Sequence, residues 1–534
     1  MQVASPPRSV RRRVLTGGVA LAAGASLALS GCGGSSARTA AGASDAAGFL
    51  PAGTPVYLEA STDLNGGQWT QAIALAKRFP GYGKLVASFT NELSADKVDF
   101  QTEIKPLLGS SAALGLYDVK GFGKKDPQPS VIAAVDLAQG KGPDLVKLIQ
   151  TGKDPARKLG EYKGIELYGD AHAVIGVVDG TAVIATSQAL LHRAVDAHNA
   201  GAAQTMAGSK RLGEALADLP DEVLAQGFLD IGALVKVAER SGGGDVAKQL
   251  AAAGVGADAA IGLSVSTEQD GVRVKAVSVG FGPQSGQLDQ FTPALVKHVP
   301  GDAIAYVGLR NGFGAADQAI RRLSGRDPQL KESLAKAALA LPLLGVNLDD
   351  IKALTSLEHA LVVTKGAPTP GVVAALEVAD PARAKATLNT LRTAAPKVLK
   401  TTGRSIPPFK PVRLANGVSG WQSQISAKAG VVFGIDGKLA LIGTLPGAVK
   451  QVQAPASTLA DDPGYQAATR EMPPKVGGVV WINGEQLYRA LDALGALKGA
   501  PKDAVANLRP LKSLAAWSAV TGGKPTFEAF LTIK

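Results

Sequence analysis

Gly176-Val177-Val178-Asp179-Gly180, followed by the apolar run at 182–185, reads as two short strands joined by a tight turn. Asp-Gly between apolar runs is a hairpin signal, because the turn needs a positive φ that glycine adopts without strain. The same arrangement returns in the second half of the chain as Phe433-Gly434-Ile435-Asp436-Gly437, followed by the apolar run at 439–442.

Further matches lie on both sides of this pair, in the same order. Before it, Ile104-Lys105-Pro106-Leu107-Leu108 with Ala112-Ala113-Leu114 returns as Ile351-Lys352-Ala353-Leu354 with Ala360-Leu361-Val362. Val131-Ile132-Ala133-Ala134-Val135-Asp136 returns as Val372-Val373-Ala374-Ala375-Leu376-Glu377. After it, Gly227-Phe228-Leu229-Asp230 corresponds to Val480-Trp481-Ile482-Asn483. Each half mixes strands of four to seven residues with amphipathic helices. In 68–79, for example, Trp69, Ile73, Ala76 and Phe79 share one helical face. Short hairpin connections imply antiparallel pairing. The expected fold is therefore α+β and internally duplicated: two similar halves of largely antiparallel sheet with packed helices, at 50–285 and 286–534.

The N-terminus carries a different kind of information. Arg8, Arg11, Arg12 and Arg13 precede an apolar stretch at 14–29 that is too short and too rich in Ala and Gly for a membrane span. Leu29-Ser30-Gly31-Cys32 closes it and resembles the lipobox of bacterial lipoproteins. That resemblance implies a signal peptide at 1–31, cleavage after Gly31, and a diacylglyceryl group on Cys32. Arg11-Arg12-Arg13-Val14-Leu15 also resembles a twin-arginine export motif, while basic n-regions serve the general secretory route as well. The sequence leaves the route open. Residues 32–49 read as a flexible tether, small and polar.

Leu50-Pro51-Ala52-Gly53-Thr54-Pro55-Val56-Tyr57-Leu58-Glu59, with Arg78-Phe79-Pro80-Gly81 after it, resembles the opening of the bacterial domain-of-unknown-function family 3352. The resemblance spans nearly all of the chain after the signal, and its motifs are packing and turn motifs. It implies an exported or membrane-attached protein without an assigned activity, so no catalytic residue is carried over from it.

Composition narrows the function classes. Cys32 is the one cysteine, so a lipidated chain has no thiol left for a disulfide, a cysteine-zinc site or thiol catalysis. The five histidines show no metal-type pairing, and His192 and His198 are six apart, on different faces of a helix. Ser94-Ala95-Asp96-Lys97 and Ser333-Leu334-Ala335-Lys336 fit Ser-x-x-Lys, but the companion motifs of that chemistry are missing. Gly254-Val255-Gly256-Ala257-Asp258-Ala259 fits a dinucleotide fingerprint by letters only: a helix precedes it and a strand follows, the reverse of what phosphate binding needs. Asp349-Asp350 and Asp461-Asp462 read as acidic pairs at helix N-termini. The reading therefore includes no cofactor, metal site or catalytic residue.

Charge is unevenly divided. The formal net charge is +11. Residues 50–285 hold 22 basic and 26 acidic residues, whereas 286–534 hold 29 basic and 18 acidic. The excess concentrates at 381–435, where Arg383, Lys385, Arg392, Lys397, Lys400, Arg404, Lys410, Arg413 and Lys428 stand without an acidic residue. Such a stretch is either a solvated face or a dock for an anionic surface. For a tethered protein those surfaces are lipid headgroups or wall polymers. Nucleic acid does not fit an export signal, and the stretch has few aromatics for stacking.

The function expected is a non-enzymatic binding or scaffold protein, lipid-anchored on the outer side of the cytoplasmic membrane. Two alternatives stay open: a carrier of a lipid or other apolar ligand between or within the halves, and a hydrolase of unrecognised type.

Overall fold

In a computed structural model of the chain, Asp179 and Gly180 take φ of 47° and 81°. These are the two left-handed residues of a type I′ turn, and they close β6 (Val174–Val178) onto β7 (Thr181–Ala185). The second Asp-Gly also closes a hairpin, of β16 (Ala429–Asp436) on β17 (Leu439–Gly443), but one position along. Asp436 pairs with Leu439, so the central residues are Gly437 and Lys438. The positive φ falls on Gly437 at 54°, as a type II′ turn requires. The structure describes residues 44–95, 98–120, 128–151, 155–170, 173–240, 255–281, 289–312, 345, 347–366, 369–401, 405–426 and 429–534.

The chain divides into two compact units, Met1–Ser285 and Gly286–Lys534. In the first, the remaining strands are β1 (Val56–Ser61), β2 (Leu108–Lys120), β3 (Gln128–Leu137), β4 (Arg157–Tyr162), β5 (Ile165–Gly169), β8 (Ala225–Asp230), β9 (Ala260–Glu268) and β10 (Gly271–Val279). Their order is β4-β5-β6-β7-β3-β2-β1-β8-β9-β10, antiparallel at every step. The core gathers Tyr57, Leu191, Leu212 and Phe228.

The second unit adds β11 (Ala305–Arg310), β12 (Glu358–Thr364), β13 (Gly371–Glu377), β14 (Lys410–Arg413), β15 (Ser419–Ser426), β18 (Gly478–Asn483), β19 (Leu511–Thr521) and β20 (Lys524–Ile533). Its order is β14-β15-β16-β17-β13-β12-β11-β18-β19-β20, again antiparallel throughout. Tyr306, Trp481, Trp517 and Phe530 centre the core.

These findings correct the expected fold class. The protein is sheet-rich, with twenty antiparallel strands among the described residues and some helices (37% strand, 35% helix), and it is not clearly two α+β halves. Strand length is the physical reason. Strands of four to seven residues were expected, but β2 runs 13 residues, β19 runs 11, and β3 and β20 run 10 each. Ladders that long organise the chain, and the helices lie on them. Helix Gly67–Ala76 buries Trp69 and Ile73 as its periodicity requires, but Leu75 rather than Ala76 completes the buried set.

Candidate functional site

Helix Pro381–Thr401 carries most of the cationic stretch. Asp380 accepts a hydrogen bond from the Arg383 backbone N–H at 3.0 Å and so caps its first turn. The spacing of Lys385, Leu388, Asn389 and Arg392 places them on one face. That face meets β15 and β16, where Trp421 and Phe433 stand opposite each other in register. Leu388 and Phe433 are buried there, with Trp421 and Ile435 packed alongside.

Between helix and strands lies a pocket of about 390 Å³. Lys385, Leu388, Trp421, Phe433 and Ile435 line it, and among the described residues no acidic one does. The Arg392 guanidinium lies 4.1 Å from the Trp421 ring centroid, a cation–π contact. Its Nε is buried without a hydrogen-bond partner among the described residues.

The structure sorts the other cations. Arg383 is neutralised: its Nη2 lies 2.7 Å from Asp350 Oδ1, and its Nε donates to the same oxygen at 2.8 Å. Lys397 is exposed on the helix, and Lys410 and Arg413 are exposed on β14. Lys400 lies within the helix. Arg404 and Lys428 lie outside the described residues, as do Cys32, His172, Gly254 and the Ser333-to-Lys336 motif. Asp349 and Asp350 sit in the first turn of helix Leu348–Leu354. Asp462 caps helix Pro463–Ala468, accepting from the Tyr465 N–H at 2.8 Å.

A second concentration of polar groups, which the sequence reading missed, lies in the first unit. Asp136 on β3 is 9% exposed. It accepts hydrogen bonds from Ser111 Oγ at 2.5 Å, Ser110 Oγ at 3.2 Å and Thr181 Oγ1 at 3.4 Å. Burial pushes its carboxyl pKa up, and the serine hydroxyls pull the other way. A cavity of about 630 Å³ opens beside it, with Asp45, Lys141 and Asp179 on its wall. The donors come from strands adjacent to β3, so the carboxylate is satisfied by its own sheet, as a structural polar cluster requires.

The histidines are held by packing. His198 stacks on Phe49 with centroids 3.9 Å apart, and its ring nitrogens face Gly48 O at 3.2 Å and Asp179 Oδ2 at 3.1 Å. His192 stacks on Tyr162. His359 is buried, which lowers its pKa. Among the described residues, no group of three metal-ligating side chains forms. Nor is any helix among them long and apolar enough to cross a membrane.

The pocket was legible in part. The spacing of Lys385, Asn389 and Arg392 marks one helix face, but nothing in the sequence says that this face meets Trp421. The Asp136 cluster left no signal, because its donors are distant in the chain.

Comparisons with known proteins add a family. The profile described as "Protein of unknown function (DUF3352)" matches residues 14–395, more than half of the chain. Crystal forms III and I of TP0453 are similar at 8% and 9% identity, each with a TM-score of 0.24. They cover 45% and 44% of this chain, and 81% and 79% of theirs. A TM-score that low is no basis for a shared fold. No curated protein matches.

Proposed function

The chain belongs to the family of proteins of unknown function DUF3352, and from its own residues we propose a non-catalytic envelope lipoprotein that docks on anionic surfaces. Cys32 is its anchor, on the outer side of the cytoplasmic membrane. The docking face is helix Pro381–Thr401 together with β14, and phospholipid headgroups are the surface it meets. One observation carries the reading: Lys385, Arg392, Lys397, Lys410 and Arg413 form no ion pair among the described residues, whereas Arg383 of the same helix does. Unpaired cations are available to an external anion, each worth about 1 kcal/mol at an anionic membrane.

Charge reversal tests the face. Changing Lys397, Lys410 and Arg413 together to Glu is expected to weaken binding to phosphatidylglycerol-containing vesicles on the order of 100-fold or more, from about 1 kcal/mol per lost cation. Binding by the unaltered protein should fall steeply between low and physiological salt. Co-sedimentation reads both, and undiminished binding of the triple variant rejects the face.

The anchor has its own measurement. The mature chain is expected to begin at Cys32 with a mass that includes a diacylglyceryl group, and Cys32→Ser should leave the membrane fraction. An unmodified chain retaining Met1 overturns the anchor.

A further inference from the structure

We propose that the pocket beneath helix Pro381–Thr401 binds the tail of a single-chain anionic amphiphile, with the charged head held by Lys385 and Arg392. The proposal rests on the docking reading for its setting, and it names the molecule that one part of the face takes.

Three features converge on this chemistry. The floor is apolar: Leu388 from the helix and Phe433 and Ile435 from β16 present aliphatic and aromatic surface, and the two elements pack together. Lys385 lines the pocket, and Arg392 stands two helical turns along the same face, stacked on the lining residue Trp421. A guanidinium stacked on an indole keeps its N–H edge available to a carboxylate or phosphate. The Arg392 Nε is buried and has no hydrogen-bond partner among the described residues, so this guanidinium is not already satisfied on that edge.

Charge and size exclude the simpler occupants. A cationic or zwitterionic head would meet Lys385 in the lining and Arg392 farther along the same helix face, with no carboxylate in the lining among the described residues. A small free anion would leave the apolar floor empty. The volume of about 390 Å³ lies near the lower end of small-molecule sites, roughly 300–1,000 Å³, which suits one acyl chain rather than two.

Calorimetric titration of the full-length protein with octanoate, decanoate and dodecanoate tests the proposal. Affinity is expected to rise about fourfold per added methylene, the equivalent of about 0.8 kcal/mol, until the pocket is full. Dodecanol should bind at least tenfold more weakly than dodecanoate, and inorganic phosphate should give no heat at the same concentrations. Lys385→Ala should weaken the carboxylates about tenfold while leaving dodecanol unchanged. Ala382→Trp, at an exposed position on the pocket wall, should fill the pocket and abolish fatty-acid binding without touching the core.

Affinity that is independent of chain length, or fatty-acid binding that survives Ala382→Trp, overturns the pocket. The two readings separate cleanly. Fatty-acid binding without vesicle binding retains the pocket and rejects the docking face. Vesicle binding that persists in Ala382→Trp, with no fatty-acid heat from the unaltered protein, does the reverse.

Discussion

Replacing Trp69 by alanine is expected to destabilise the first unit by about 3–5 kcal/mol, the range for truncating a large buried aromatic. Trp69 is 2% exposed and packs in a cluster with Leu64, Phe100 and Ile104. Its indole N–H donates to the Ser61 carbonyl at 2.7 Å, joining helix Gly67–Ala76 to the end of β1. Alanine opens a cavity and removes the donor of that hydrogen bond. Trp69→Phe keeps most of the packing and loses the bond, so it should cost less than half as much. Two units need not unfold together, so hydrogen exchange at the amides of β1 and β2 is the measurement to use. A loss below 1 kcal/mol in the alanine variant would show that this cluster does not hold the helix to the sheet.

The second large effect is expected at Glu358, the first residue of β12. Its carboxylate, 4% exposed, accepts from the backbone N–H of Ala294 at 2.8 Å and of Leu295 at 2.9 Å. The side chain thereby ties the short 3₁₀ turn Leu295–His298 to the sheet. Burial pushes its pKa up, opposed by these two N–H groups. Glu358→Ala abandons the buried Leu295 N–H, at about 1–3 kcal/mol, and the partly buried Ala294 N–H, which costs less, so the expected loss is roughly 2–5 kcal/mol. Glu358→Gln retains one acceptor oxygen and should lose about half of that. Denaturant melts of the second unit's signal check the order: alanine worst, glutamine between, unaltered protein most stable. Equal stability of the alanine variant would mean that water replaces the carboxylate.

Much of the strand pairing was legible because it is local. Asp179-Gly180 and Asp436-Gly437 marked two hairpins, and both formed. Identical letters still closed differently, since the register of β16 on β17 sets which residues become central. Strand lengths were not legible. Gly109 and Gly115, a residue type that weakens a strand pattern, both lie inside β2. Gly115 serves packing instead: a Cβ there would come within 2.6 Å of Leu50 Cδ2. The fold class went wrong by the same route, because segments that look short in sequence join into long ladders.

The cationic run was legible as composition and not as a surface. Nine basic residues read alike in sequence. In the structure, Asp350, more than thirty residues upstream, neutralises Arg383, while Trp421 captures Arg392. Both partners come from elsewhere in the chain, where tertiary packing decides and periodicity is silent.

β14 has a consequence of its own. It is four residues long, pairs with β15 alone among the described strands, and reads Lys410-Pro411-Val412-Arg413. A brief border strand with two cations and a proline is a poor template for another chain: proline offers no N–H, and like charges repel an approaching copy. The residues that would draw the protein toward an anionic membrane thus also keep neighbouring molecules from zipping together once they are crowded there.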